Sequence, residues 1–227
     1  VMSGGRPKVI VVMPAYNAQD FIETALRSLL AQSWLNLEII VVDDCSTDAT
    51  VERVSAIARE DARIVLLKHS MNRGAYAARN TALKHATGTF VVNHDSDDWS
   101  HPQRLELMAA PLLQDSGLVA TVADWVRTDT NLHFQSWRIE NSLIEPSVST
   151  MMMRTDAVRN MGGWDDVRVA ADHELRQRLQ RRHGTQAVVY LLPGVPLVFA
   201  RQLPQSLTMA STTHLRSTSF GLRQLYS

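Results

Sequence analysis

The chain has 227 residues, 45% of them hydrophobic and 20% charged, the proportions of a folded soluble domain rather than a disordered chain. Its 23 basic and 23 acidic residues cancel to a formal net charge of zero, which argues against a dedicated nucleic-acid binder but leaves room for a local anion patch. The single cysteine, Cys45, excludes an internal disulfide and points to a reducing compartment; no apolar run reaches the ~18–20 residues of a membrane span.

Val1–Lys8 is short, polar and Gly-rich, with no secretory signal. The start at Val1 rather than Met is that of a processed chain or an excised fragment. The length suits one domain. Val9 to Met13 is a continuous β-branched run, the pattern of a strand buried on both faces. Pro14 ends it. Phe21, Ile22, Ala25, Leu26, Leu29 and Leu30 then recur at helical spacing over about 14 residues. Glu38 to Val42 is a second buried strand, stopped by the turn-forming run Asp43 to Asp48. Thr47 or Asp48 can cap a helix carrying Val51, Val54 and Ile57. Ile64 to Leu67 is a third strand. Ala75, Ala78 and Ala82 give the next helix a small face for close packing. Thr89 to Val92 is a fourth strand, ending in Asn93-His94-Asp95-Ser96-Asp97-Asp98.

The second part is less regular. The spacing of Leu105, Met108, Ala109 and Leu112 predicts a helix after Pro102. Val119 to Val126 reads as a strand, 128–147 as a loop or β-excursion, Val148 to Met153 as a short strand and Gly162 to Asp165 as a turn. A helix follows from Ala170 to Arg182. Val188 to Leu192 and Val195 to Phe199 read as two strands separated by Pro193-Gly194. Alternating strands and helices imply an α/β fold, with a mainly parallel sheet and helices on both faces. Ligands of such sheets bind beyond the strands' carboxyl ends. There lie Pro14-Ala15-Tyr16-Asn17, Asp43-Asp44 and Asp95 to Asp98, which should converge on one crevice.

Three carboxylates in four residues, Asp95, Asp97 and Asp98, repel one another unless a cation intervenes. Mg²⁺ or Mn²⁺ bridging to a substrate phosphate would suit them; a solvated acidic turn before a helix would read the same way. Asp43-Asp44 is an ordinary strand end or a ligand for base and ribose donors. Tyr16 is a core-edge ring or a stacking platform. Asp172 opens a helix on the face of Leu175 and Leu179, a plausible place for a general base or a simple helix-capping acid. Glu174 points away from that face. Trp99 and Trp164 adjoin acidic clusters where a ring can pack on a sugar, whereas Trp34 and Trp125 fit core positions. Arg73 and Arg79, at the start of a helix, can reach phosphates or simply face solvent.

Taken together, these strings resemble an inverting family 2 glycosyltransferase of the GT-A fold. The matching segments are Val11 to Asn17, Gln32 ahead of Glu38 to Asp48, Asn72-Arg73-Gly74, Ala78-Arg79-Asn80, Ala86-Thr87-Gly88, Asp95 to Asp98, Gly162 to Asp165, Asp172 to Leu175 and Arg178-Leu179. They span roughly residues 8–200. Two positions depart from the pattern: Cys45 stands where many members have Gly, and Ala171 where many have Glu.

The resemblance implies a Rossmann-like nucleotide-binding sheet with a smaller mixed acceptor-side portion. The whole of 1–227 is expected as one domain: a nucleotide-sugar half at 8–126, an acceptor half at 127–200 and a tail or lid at 201–227. It implies Pro14, Tyr16, Asn17, Asp44, Arg73, Arg79, Asp95 and Ser96 around a nucleotide-sugar, UDP being the commonest donor nucleotide of the family. It implies Asp95 and Asp97 on a divalent metal, Mn or Mg, with Asp98 sharing this role, and Asp172 as the catalytic base. The partners implied are a donor and a glycan, lipid-linked saccharide or protein acceptor, with no nucleic acid. The expected place is the cytoplasm or the inner face of the membrane. Phe199-Ala200-Arg201 to Ser206-Leu207-Thr208 resembles a post-core lid. A nucleotidyltransferase would want a Gly-rich loop after the first strand, and a haloacid-dehalogenase-type phosphatase would want its acidic pair there. The remaining alternative is a non-catalytic nucleotide-sugar-binding module of a larger protein.

Overall fold

The computed structural model describes residues 5–131, 133–135, 143–167 and 169–202. Its core is built from β1 (Val9–Ala15), β2 (Leu37–Asp43), β3 (Ile64–Lys68) and β4 (Phe90–Asn93), ordered β3-β2-β1-β4 and all parallel. Between them lie α1 (Ile22–Leu30), α2 (Thr50–Glu60) and α3 (Ala75–His85). All of β1 is buried because successive side chains enter different layers. Val9, Val11 and Met13 pack with Ile22, Leu26 and Leu29 of α1. Ile10 and Val12 pack with Ala78 and Ala82 of α3. Each such aliphatic side chain is worth about 1.5–3 kcal/mol when buried, so both faces hold the strand.

The sheet continues through β8 (Met152–Arg154), β6 (Ala120–Thr128), β9 (Val188–Arg201) and β5 (Trp99–Ser100), with β7 (Ile144–Pro146) paired to β6. β8 is antiparallel to both β4 and β6, while β9 runs parallel to β6. The sheet is therefore parallel on one side of β8 and mixed on the other. Helix α4 (Arg104–Gln114) joins the α1 layer, whereas α5 (Thr155–Asn160) and α6 (Ala171–His183) join α3. β1 has β2 on one side and β4 on the other. In open α/β sheets such a reversal of strand order marks where ligands bind, beyond the carboxyl ends of the strands.

Several elements differ from the sequence expectation. The two late strands are one strand. β9 stays paired to β6, but its partner jumps from Leu191 opposite Ala123 to Pro196 opposite Asp124. Residues 192–195 bulge out instead of reversing the chain, and Asp124 Oδ2 accepts the Gly194 N–H at 2.7 Å. The 148–153 strand is a 3-10 turn (Val148–Thr150) followed by β8, because Thr150 Oγ1 accepts the Ala123 N–H at 3.0 Å in place of a ladder bond. α1 has nine residues. α2 begins at Thr50 with Ala49 at its cap, yet Asp48 still accepts the Thr50 N–H at 3.0 Å. Trp34 is buried as expected. Trp125 is half-buried, with the Arg127 guanidinium 3.9 Å from its ring centre. Trp137 and the Ser206-Leu207-Thr208 lid lie outside the described residues. Among the described residues no helix is long and apolar enough to cross a membrane.

Candidate active site

The loops after β1 and β2 are fastened to each other. Asn17 Oδ1 accepts the Thr47 N–H at 2.8 Å, and the Asn17 N–H reaches Ser46 Oγ at 3.0 Å. Thr50 Oγ1 accepts the Ala18 N–H at 2.8 Å, and Asp48 Oδ2 accepts the Gln19 N–H at 3.1 Å. Burial acts to raise the Asp48 carboxyl, but bonds from Thr50 and Gln19 outweigh it and hold it below its ordinary range. Cys45 has φ of +69°, the left-handed conformation that Gly adopts without strain. Pro14 is buried, whereas Tyr16 is 51% exposed and stands free at the rim.

Asp44 is buried under this double loop. It accepts the Arg73 N–H at 2.9 Å and the Gly74 N–H at 2.6 Å, and His69 Nδ1 lies 2.8 Å away. Gly74 caps α3, so the carboxylate satisfies backbone donors at that helix N-terminus. The Arg73 residue is exposed. Asp44 thus ties the end of β2 to the start of α3.

The acidic run after β4 is surrounded by cations. Arg201, ending β9, donates its N–H to Asp98 Oδ1 at 3.1 Å and its Nη1 to the Asp97 carbonyl at 3.3 Å. Arg104 is 1% exposed and donates to Ser100 Oγ and to the carbonyls of Asn93 and Thr150. Burial lowers the Arg104 guanidinium to about 10 against the opposing pull of Asp98 and Asp95. Burial, then the neighbouring Arg104 charge, pushes His94 down to about 3. Its neutral ring donates Nδ1–H to the Asp95 carbonyl at 2.7 Å. Burial first, and Asp95 second, raise the Asp97 carboxyl to about 6. Burial, with repulsion from Asp97 and Asp95, pushes Asp98 well above the usual carboxylate range, against the pull of Arg127. Ser96 is half-buried between these acids.

Such carboxylates suit a hard divalent cation, which would remove the repulsion between them. No group of three or more His, Cys, Asp or Glu side chains among the described residues forms a metal cage. An ion held by one or two of these carboxylates and completed by phosphate or water oxygens is compatible with this donor set.

Asp172 lies in the first turn of α6, buried with Leu175 and Leu179. Arg79 Nη1 donates to both its oxygens at 2.8 Å. Trp164 Nε1 donates to Oδ1 at 2.9 Å, Asn93 Nδ2 to Oδ1 at 3.2 Å and the Tyr76 hydroxyl to Oδ2 at 3.3 Å. Arg79 Nη2 donates to Asp95 Oδ1 at 2.7 Å. Arg79 is raised above its ordinary range: burial opposes its charge, but Asp172 and Asp95 outweigh that cost. One guanidinium thus joins the strand-end acids to the helix-start acid.

Trp164 is 2% exposed, so its ring is a packing element and not a sugar platform. Asn80 holds it from both sides, accepting the Trp164 N–H at 2.9 Å and donating to the Trp164 carbonyl at 2.7 Å. Gly163 has φ of +80°, and a Cβ there would lie 2.3 Å from Asn80 Oδ1. Trp99 remains half-buried, 5.2 Å from the Phe199 ring. Glu174 pairs with Arg178 away from the cluster.

Asp95 and Asp172 meet at Arg79, and the Asp44 cap lies at the N-terminus of the same helix. Sequence reasoning missed His69, His94, Asn93, Arg104 and Arg127 as parts of this region, and Arg201 as the cation on Asp97 and Asp98. Lone arginines and histidines carry no spacing signal, although Asn93-His94 immediately precedes the acidic run.

The chain matches the profile of Glycosyl transferase family 2 over residues 10–170. It is 33% identical over 172 residues to the putative glycosyltransferase EpsE of Bacillus subtilis, covering 71% of this chain and 62% of EpsE. It is 40% identical over 108 residues to WfgD of Escherichia coli, named a UDP-Glc:alpha-D-GlcNAc-diphosphoundecaprenol beta-1,3-glucosyltransferase, covering 48% of this chain and 42% of WfgD. The chain thus spans less than two thirds of the length of these relatives. Among solved structures it is similar to S. aureus TarS 1–349 in complex with UDP, with TM-score 0.67 and 24% identity over 87% of this chain and 61% of that one. It is also similar to the mannosyltransferase PcManGT of Pyrobaculum calidifontis with GDP-Man and Mn²⁺, with TM-score 0.63 and 24% identity over 85% and 59%.

Proposed function

The chain belongs to glycosyl transferase family 2 and has the GT-A fold, and from that premise we propose that it carries out inverting, metal-dependent transfer of a sugar from a UDP-sugar to an acceptor hydroxyl. The acceptor is a carbohydrate, free or lipid-linked; the name of WfgD, which pairs UDP-Glc with a diphosphoundecaprenol-linked sugar, supports both halves. The observation that carries this reading is the junction of Asp95, at the end of β4, with Asp172, at the start of α6, on one buried guanidinium.

Each residue then has a chemical task. Pro14, exposed Tyr16, Asn17 and the Asp44–Arg73 corner frame the nucleoside, and Asp95 and Ser96 face the ribose and diphosphate. Asp97 with Asp95 would hold Mn²⁺ or Mg²⁺, which when bound offsets the charge gathering on the departing diphosphate. Asp172 accepts the acceptor's proton at Oδ2, the oxygen with fewer bonds, as the acceptor oxygen attacks the anomeric carbon. The new glycosidic bond forms opposite the sugar–phosphate bond that breaks. The electron pair leaves with UDP, and configuration inverts. Residues 8–126 supply the donor half and 127–200 the acceptor half.

UDP release from a panel of UDP-, GDP- and dTDP-sugars with Mn²⁺ or Mg²⁺ tests the reading. Asp172→Asn should lower turnover by about 10²–10⁴-fold, the worth of a positioned general base, with UDP affinity retained. Unchanged turnover in that variant would remove Asp172 from the reaction.

A further inference from the structure

The sequence leaves Arg79 either facing solvent or reaching a nucleotide phosphate. It does not face solvent: it is 3% exposed. Both terminal nitrogens already serve carboxylates, and the donors that remain belong to a side chain closed off from solvent. Nη1 donates to Asp172 and Nη2 to Asp95. The remaining Nε is buried and has no hydrogen-bond partner. The Tyr76 ring closes the remaining side, with its centre 5.3 Å from the guanidinium carbon.

A buried ion pair is weak evidence for stability, since apolar residues of similar volume often serve as well. A planar fork of fixed geometry does something an apolar contact cannot. It fixes the directions of two carboxylates at once. These belong to segments remote in sequence: Asp172 is 93 residues from Arg79, and Asp95 is 16. Asp172 has a second set of restraints in Trp164, Asn93 and Tyr76. Three donors converge on Oδ1 and two on Oδ2, the weaker being the Tyr76 hydroxyl at 3.3 Å. Oδ1 is therefore anchored, and Oδ2 is the oxygen whose bond can be exchanged for an incoming hydroxyl.

We infer that Arg79 is a positioning residue: it sets the direction of Asp172 relative to the diphosphate end of the donor site through Asp95, and it does not bind the nucleotide. This rests on the proposed role of Asp172 as base. A misplacement of the base by about 1 Å costs on the order of 100-fold in rate. The loss of that direction should fall on turnover, while the release of Asp95 is felt at the diphosphate end of the donor site.

The test measures UDP release from UDP-glucose and UDP-N-acetylglucosamine with Mn²⁺, alongside calorimetric UDP binding, on the full chain. Arg79→Lys keeps the charge but cannot hold both carboxylates; it should lower kcat about 100-fold, and in an Asp95→Ala background, where the bond to Asp95 is already gone, it should move the UDP Kd less than about 2-fold. A tenfold or greater further loss of UDP affinity in that background would make Arg79 a nucleotide ligand and overturn the inference. Arg79→Met combined with Asp172→Asn removes both charges and guards against a merely unfolded single variant. If Arg79 acts through Asp172, this double variant turns over no more slowly than Asp172→Asn. A further large drop shows an independent role and overturns the inference. If Asp172→Asn alone keeps full turnover, the base reading fails first. If it loses turnover while Arg79→Lys does not, the positioning role fails by itself.

Discussion

Asp97→Asn should make the metal-free protein more stable at neutral pH. Burial and Asp95 raise the Asp97 carboxyl from 3.8 to about 6. The folded state therefore binds this proton more tightly than the unfolded state does. Between about pH 4 and 6 the folded chain carries the extra proton, so stability falls as pH rises through that window and stays low above it. A difference of about two pKa units corresponds to ~3 kcal/mol at most. For a chain of this size, 1 kcal/mol moves Tm by roughly 2–4 °C. Asparagine keeps the shape without the charge, and it also relieves Asp98 and Asp95. The check is thermal or urea unfolding of both proteins in EDTA from pH 4 to 8. The variant-minus-wild-type difference should be near zero at pH 4, grow to pH 6 and then level off. Adding Mn²⁺ should erase it by stabilising the wild type alone. A difference that is flat, or that shrinks as pH rises, would refute the electrostatic reasoning.

Other outcomes follow from particular contacts. Gly163→Ala meets both a positive φ and Asn80 Oδ1 at 2.3 Å; it should cost about 1–3 kcal/mol and lower turnover through Trp164, read by urea unfolding and UDP release. Trp164→Phe removes one donor from Asp172 Oδ1 and should lower kcat with UDP affinity unchanged in calorimetry. Asp44→Ala strands the Arg73 and Gly74 amides and His69; about 1–3 kcal/mol for such unsatisfied groups should appear as a lower urea midpoint, together with weaker UDP binding. Cys45→Gly relieves the φ of +69° and should be neutral or stabilising by up to ~1 kcal/mol, visible as a Tm increase.

The parallel half of the sheet could be read directly because its strands are buried on both faces, and continuous runs such as Val9 to Met13 announce that. β9 could not. Pro193-Gly194 is a turn signal in any local reading, and only the Asp124 carboxylate, 70 residues earlier, converts it into a bulge. Asp95 and Asp172 were visible as acids at element ends. Arg79 is legible as a site cation but not as their common partner, and Arg104, Arg127 and Arg201, which surround the acidic run, have no common spacing that a sequence would show. The Asn80–Trp164 lock explains why Ala78-Arg79-Asn80 and Gly162 to Asp165 belong together.

The reach of β9 also has a kinetic side. The bond from the Arg201 N–H to Asp98 Oδ1 closes a separation of 103 residues, and contacts of such range form late because the chain must surrender loop entropy first. As the polypeptide leaves the ribosome, β1 to β4 can pair and pack while their acidic rim still lacks its cations. β6 meanwhile presents an unpaired edge until β9 arrives beside it, and an open edge invites pairing with another chain. Synthesis that stalls between β6 and β9 would thus expose repelling charge and a sticky strand in the same nascent molecule.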